Sequence, residues 1–277
     1  MRLRARATSI LLTLLLAGCG GENVLRVCAD PNNLPFSNAA LQGFENRLVA
    51  EVAEELGMRV RYTWWAQRRG NVRETLKAGR CDVIPGVAAG LETVATTRPY
   101  YISRYVAVTR GDRDLAIASF DDPRLRRLRI GVQMIGDDFA NTPPAHALAR
   151  RGLIGNVRGY MIYGDYSGPA PQAGIVEAVA RGEIDVAFVW GPAAGYFARR
   201  QRVPLRLTPL PETDPASAQP MAFAVAMGVR REDAALKGRL EAALERRQAE
   251  IRQLLARYAV PLAASAPQLE EEEADED

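Results

Sequence analysis

The chain has 277 residues, a formal net charge of +3, 25% charged and 48% hydrophobic residues, three Cys and one His. Its basic side chains are scattered singly or in pairs without interleaved aromatics, which argues against nucleic acid as a partner. No Cys/His cluster has zinc spacing, and the single His146 stands beside Pro143-Pro144, which argues against a transition-metal site.

Arg2, Arg4 and Arg6 form a positive n-region, and Ser9 to Leu16 is an apolar stretch too short to span a membrane. Leu16-Ala17-Gly18-Cys19 looks like a bacterial lipobox, which implies cleavage before Cys19 and lipid on its thiol. The alternative is an ordinary secretory signal with a chance Cys. Both readings place the mature chain outside the cytoplasm. No later segment approaches ~20 uninterrupted apolar residues, the length a spanning helix needs. What remains is long enough for two modest lobes.

Val24 to Ala29 predicts one buried strand. It breaks into Asp30-Pro31-Asn32-Asn33, a turn cluster, with Phe36 just beyond. A strand followed by a polar, aromatic-tipped loop and then a helix puts that loop at the carboxyl edge of a parallel sheet, where open α/β sheets bind ligands. Gly43 to Gly57 predicts a helix with Phe44, Leu48, Val52 and Leu56 on one face and Glu and Arg on the other. Arg59 to Trp65 alternates as a half-buried strand and runs into Trp64-Trp65-Ala66-Gln67-Arg68-Arg69-Gly70. Two indoles, an amide and two guanidiniums make a dense set of ligand contacts; the alternative is one core Trp and solvated arginines. Val72 and Leu76 mark a short helix ended by Gly79, and Cys81 to Gly86 a further strand. The small residues Val87 to Gly90 let backbone approach a ligand closely. Thr96-Thr97-Arg98-Pro99-Tyr100-Tyr101 leads into a strand from Tyr105 to Thr109. Cys28 and Cys81 form an even pair in an oxidising compartment, which favours a disulfide over two buried thiols.

An internal echo follows. Leu76 to Ile84 and Val179 to Ala187 share one pattern at one spacing: helix end, Gly, two residues, Asp, apolar strand. The echo suggests two lobes of similar α/β wiring. The second lobe is expected to hold strands at Leu128 to Gln133, Val157 to Tyr163 and Asp185 to Trp190, the last ending on an aromatic residue. Pro204 to Pro211 and Met221 to Val229 also read as strands. Leu236, Leu240, Leu244, Ile251, Leu254 and Tyr258 predict one long closing helix. The expected division is a signal and anchor over 1–19, one lobe from 24–110 plus 215–262, the other from 111–214, and a disordered acidic tail over 263–277. The acidic run from Glu270 reads as a solvated end; the alternative is a loose collector of Ca²⁺ or lanthanide or a dock for a basic partner, but nothing before it supplies the alternating oxygen ligands and Gly of a preformed calcium loop.

LRVCADPNNLPF, GFENRLVAEVAEELG, LKAGRCDVIPG, TTRPYY, LRIGVQ and VARGEIDVAFVWGP together resemble the type II periplasmic solute-binding fold, across nearly all of Val24 to Leu262. The fold implied is α/β and two-lobed, with two open, mostly parallel sheets and a central cleft. CADPNNLPFSN, YTWWAQRRG and TTRPYY are more closely similar to the MxaJ/XoxJ group, proteins associated with quinoprotein methanol dehydrogenases. One departure narrows the ligand. Amino-acid-binding members carry an Arg nine or ten residues before their Pro-Tyr, and here those positions are Ala89 and Gly90. A ligand carboxylate would lack its bidentate partner.

The resemblance implies a non-catalytic accessory protein whose cleft binds a PQQ-dependent methanol or alcohol dehydrogenase, holding no cofactor or metal of its own. Phe36, Trp64, Trp65, Tyr100, Tyr101 and Trp190 would serve as aromatic anchors for an apolar ligand, a side chain or a peptide. Asp30, Asn32, Gln67, Arg68, Arg98 and Gln133 would fix orientation. A transport receptor delivering a small molecule to an ABC permease is the second reading. An enzyme, such as the dehydratase-like members, would need an acid/base pair, for which Asp30, Glu92 and Asp137 are the candidates.

Overall fold

The computed structural model describes residues 23–135, 141–162 and 168–267. The expected anchor Cys19, Asp137 and the acidic run from Glu270 lie outside the described residues.

Strand β1 (Val24–Ala29) buries Leu25, Val27, Cys28 and Ala29. It ends before Pro31, which has no amide hydrogen to continue a ladder. The chain turns through two short antiparallel strands, β2 (Asn32–Asn33) and β3 (Ser37–Asn38). Helix α1 (Phe44–Glu55) starts directly on this turn: the Phe44 and Glu45 amides donate to the Pro35 and Phe36 carbonyls at 2.8 and 2.9 Å. The approach is so close that a Cβ at Gly43 would lie 1.9 Å from the Phe36 carbonyl oxygen. Phe44, Leu48 and Val52 form the buried stripe that their spacing predicts.

Strand β4 (Arg59–Trp64) pairs parallel with β1, from Val24 opposite Arg59 to Ala29 opposite Trp64. On the other side of β1 the Cys28 amide donates to the Val83 carbonyl at 3.0 Å. That adjacency brings Cys28 and Cys81 to a Cα separation of 5.6 Å, and the two form a disulfide. Helix α2 (Asn71–Glu74) and strand β5 (Ile84–Ala88) follow. After β6 (Ala95–Thr96), the ten-residue strand β7 (Tyr101–Arg110) crosses the molecule.

Beyond a 3₁₀ turn at Pro123–Arg127 come β8 (Ile130–Met134), α3 (Pro143–Arg150), β9 (Val157–Met161) and α4 (Ala173–Arg181). Then follow β10 (Val186–Trp190), α5 (Gly191–Ala198), β11 (Leu205–Pro209) and β12 (Ala222–Val229). Strand β8 lies parallel to both β9 and β10. The continuous order is β5-β12-β7-β10-β8-β9, with β12 and β7 as antiparallel links. The result is the mixed α/β, two-lobed architecture expected.

One core gathers Leu25, Val27, Phe44, Leu48 and Val52 with Val225, Met227, Leu240 and Leu254. Two others lie on opposite faces of the second sheet, one around Ile130, Val132 and Phe188, the other around Ile175, Val179 and Val189. Strand β7 serves both regions: Tyr101 packs in the first core, and Tyr105 to Val108 in the others.

Two sequence expectations change. The single closing helix is two, α6 (Ala234–Arg246) and α7 (Gln248–Arg257). The break at Arg247 lets Leu240, Leu244, Ile251 and Leu254 all reach the same core, while Arg246 and Arg247 both hold Glu55, at 2.5 and 2.9 Å. The segment after Leu262 was expected to be structureless from Ala263. Its start is tied down: Ala263 donates to the Ile102 carbonyl at 2.9 Å and the Ser265 hydroxyl to Glu212 at 2.5 Å.

Candidate functional site: a cleft between the lobes

The carboxyl ends of β1 and β5 face the ends of β8 and β10 across a cavity of about 430 Å³. From the first lobe it is lined by Phe36, Glu45, Gln67, Arg68, Gly86 and Leu91. The second lobe supplies Gln133, Thr142, Gln172 and Trp190, and the linking strands supply Tyr101, Tyr105, Phe223 and Val225.

Of the residues expected to form the cleft, Phe36, Gln67, Arg68, Tyr101, Gln133 and Trp190 meet there. The other six stand elsewhere. The Asp30 side chain turns back into its own loop, its two oxygens accepting the Asn32 and Gln67 amides at 2.8 Å each. Asn32 instead bridges the lobes, donating to the Gly168 carbonyl at 2.8 Å and accepting the Ala170 amide at 3.0 Å. Trp64 stacks on Tyr62 with centroids 4.5 Å apart, and Trp65 lies under the Arg80 guanidinium at 5.1 Å. Arg98 pairs with Glu245 at 2.9 Å, on helix α6. The Tyr100 hydroxyl donates to the Pro85 carbonyl at 3.1 Å, behind the cavity wall. Each of these side chains is taken up by a partner away from the cavity, and of the pair Tyr100-Tyr101 only Tyr101 lines the wall.

The polar wall is a chain of amides. The Asn33 side chain donates to Gln67 at 3.0 Å, and Gln67 donates to the Gly86 carbonyl at 3.4 Å. Gln172 donates to Asn33 across the cleft. Gln133 donates to Gln172 at 3.4 Å and accepts the Trp190 amide at 2.8 Å. Asn33 and Gln172 carried no distinguishing sequence signal: isolated amides near turns are common. The apolar wall is a ring cluster. Trp190 lies edge-on to Tyr105 and Phe223, at 5.2 and 5.9 Å between centroids. Leu91 lines the wall two residues past Ala89, the position from which the amino-acid-binding pattern would project an Arg.

Glu45 is the residue that helix reading missed. An acidic side chain in a first helical turn ordinarily faces solvent and complements the helix dipole. Here it is only 4% exposed. Its carboxyl oxygen lies where a Cβ at Gly86 would come within 2.1 Å, so only glycine leaves it room. Burial pushes it up to about 8. Glu45 is the one carboxylate lining the cavity among the described residues; Glu92 is exposed and Asp30 is spent on backbone amides. No second carboxylate and no His, Lys or Cys lines the cavity with it among the described residues. Among the described residues no group of three or more His, Cys, Asp and Glu is placed to hold a metal, and no helix is long and apolar enough to cross a membrane.

Comparison with known proteins agrees with this architecture. Residues 25–260 match the bacterial extracellular solute-binding proteins, family 3. The protein MoxJ of Methylorubrum extorquens is 35% identical over 252 residues, covering 86% of this chain and 81% of MoxJ. The crystal structure of the periplasmic binding protein XoxJ from Methylobacterium extorquens AM1 superposes with a TM-score of 0.71 at 38% identity, over 87% of this chain and 100% of that one. MxaJ from Methlophaga aminisulfidivorans MPT superposes with a TM-score of 0.74 at 26% identity, over 86% of this chain and 100% of its own.

Proposed function

This chain belongs to the bacterial extracellular solute-binding proteins of family 3, and from that premise we propose that it is a periplasmic accessory protein whose cleft receives part of a PQQ-dependent methanol or alcohol dehydrogenase. Its relatives are binding proteins rather than enzymes, and the cavity wall offers contacts rather than chemistry. The observation that carries the reading is the composition of that wall: five aromatic side chains (Phe36, Tyr101, Tyr105, Trp190 and Phe223), a self-bonded amide chain, and Leu91 close to where a carboxylate clamp would sit. Such a surface suits a protruding side chain or peptide better than a free amino acid. The likeness to MoxJ, XoxJ and MxaJ supports the dehydrogenase as its source. In this reading Cys19 carries a lipid that holds the chain at a membrane, and the dehydrogenase keeps its own PQQ and metal.

Affinity capture from periplasmic extract tests it. The wild-type chain should enrich a quinoprotein dehydrogenase identified by mass, and Phe223→Ala or Arg68→Ala should reduce the yield at least tenfold while the fold is retained. Recovery of a small molecule on denaturation, with no dehydrogenase, would replace this reading with that of a transport receptor.

A further inference from the structure

We infer that the cleft takes a protonated aliphatic amine, whose charge Glu45 meets and whose hydrocarbon chain lies against Phe36, Tyr101 and Trp190. This deepens the proposed function by naming the chemical group received, and it rests on the cleft being the working surface.

The polar groups of the wall divide into two classes. The amides of Asn33, Gln67, Gln133 and Gln172 satisfy one another or nearby backbone. The Glu45 carboxyl is different. It lines the cavity, is only 4% exposed, and has no hydrogen-bond or ion-pair partner among the described residues. A buried carboxyl left alone is costly unless something completes it. Burial alone accounts for its raised pKa, so no cation within the chain offsets it, Arg68 on the same cavity included. The complement has to arrive with the guest.

Geometry selects the kind of guest. A carboxylate on a cavity that aromatic side chains also line matches an ammonium group, because rings attract a cation and the carboxylate neutralises it. A planar guanidinium would call for a bidentate partner with both oxygens open, and both Glu45 oxygens lie against Gly86, within 3.3 Å of where its Cβ would stand.

Proton release gives the interaction a signature. With its value raised to about 8, Glu45 holds its proton at pH 7 until an arriving cation expels it. The titratable groups facing Glu45 are Tyr62 on β4 and Tyr100 and Tyr101 at the start of β7, all held above the ordinary tyrosine range by burial. They stay neutral through the window used, so the released proton comes from Glu45.

The test is calorimetric titration of the chain with N-acetyl-lysine methylamide and n-butylamine, against the uncharged N-acetyl-norleucine methylamide. At least one amine should bind tenfold or more tightly than the norleucine probe. Close to one proton should leave at pH 7, read from the heats in buffers of different ionisation enthalpy. Affinity should fall about tenfold per pH unit on acidification below pH 8. Glu45→Gln should abolish both the preference and the release while circular dichroism shows a folded chain. The wild-type proton count decides the matter even if that variant fails to fold. A tighter lysine probe assigns the group to a protein side chain; a tighter butylamine assigns it to a free amine. No amine binding at millimolar concentration, equal binding of the norleucine probe, or no proton release overturns the inference. Dehydrogenase captured by a wild-type chain that binds no amine overturns this inference and leaves the proposed function standing. Amine binding with proton release, without dehydrogenase capture, supports this inference and overturns the other.

Discussion

The two lobes are built on one device used twice, and they differ where the device ends. In the first, Arg26 on β1 donates to Asp82 through Nε at 2.9 Å and to the Gly79 carbonyl at 2.9 Å, while the Asp82 amide returns to the Arg26 carbonyl at 2.8 Å. In the second, Arg129 beside β8 donates to Asp185 at 3.0 Å and to the Gly182 carbonyl at 2.9 Å, and the Asp185 amide returns to the Arg129 carbonyl at 2.8 Å. Gly79 and Gly182 both sit at left-handed φ, 70° and 73°, ending their helical turns. Two residues past each Arg the lobes diverge: Cys28 bonds to Cys81, whereas Gly131 lies under Ile184, one residue before Asp185. Four residues past each Arg they diverge again. Asp30 closes its own loop, and Gln133 reaches across to Trp190 and Gln172. The shared frame sets strand spacing; the strand ends, free of that duty, carry the differences that make a cleft.

The largest way to break the comparison is to remove the covalent member. Replacing Cys28 and Cys81 together by Ser frees a 53-residue separation and should cost about 4 kcal/mol of stability on chain-entropy grounds, measured by denaturant unfolding. The Glu45 carboxyl and the Asp185 carboxyl should then separate by pH. Glu45 is raised from 4.5 to about 8 in the folded chain, so between those values the unfolded chain binds fewer protons. Stability should fall by about 1.4 kcal/mol per pH unit across that window, and Glu45→Gln should flatten the slope. Asp185 behaves oppositely. Hydrogen bonds from Arg129 hold it below the usual carboxylate range, overcoming the opposing effect of burial. Its contribution is complete above about pH 4 and is lost as pH falls through the folded value; Asp185→Asn should remove that acid sensitivity and cost about 1.5–3 kcal/mol at neutral pH. Next, Gly131→Ala should cost about 1–3 kcal/mol, because a Cβ there would stand 2.5 Å from Ile184 Cδ1. The smallest effect is expected from Asn32→Ala: loss of two interlobe hydrogen bonds, about 1 kcal/mol, with a wider scattering profile in solution as the lobes part.

Much of the frame was legible because it rests on local rules. The echo between Leu76–Ile84 and Val179–Ala187 marked the repeated device, and apolar periodicity placed β1, α1, β4, β8, β10 and β12 close to their observed bounds. The cleft was half legible. Phe36, Gln67, Arg68, Tyr101, Gln133 and Trp190 stand on it because strand ends and their turns point there. Trp64, Trp65, Tyr100 and Arg98 do not, because Tyr62, Arg80, the Pro85 carbonyl and Glu245 take them up, partners set by the tertiary fold rather than by the residues themselves. Glu45 was illegible for a different reason: its burial depends on Gly86, forty-one positions away, having no side chain. Arg247 likewise ends a helix whose apolar spacing runs on through it.

The bonds of Asn32 to Gly168 and Ala170, and of Gln172 to Asn33, tie the two lobes together across the cleft. Where admitting a guest requires those bonds to part, its apparent affinity is its intrinsic affinity multiplied by the fraction of molecules in which they are open. If one molecule in a hundred is open, the apparent dissociation constant is about a hundredfold weaker than the contacts would give. Weakening the latch at Asn32 should thus tighten binding while loosening the fold, so that in this molecule the affinity for its partner is set as much by a bond the partner never touches as by the surface it does.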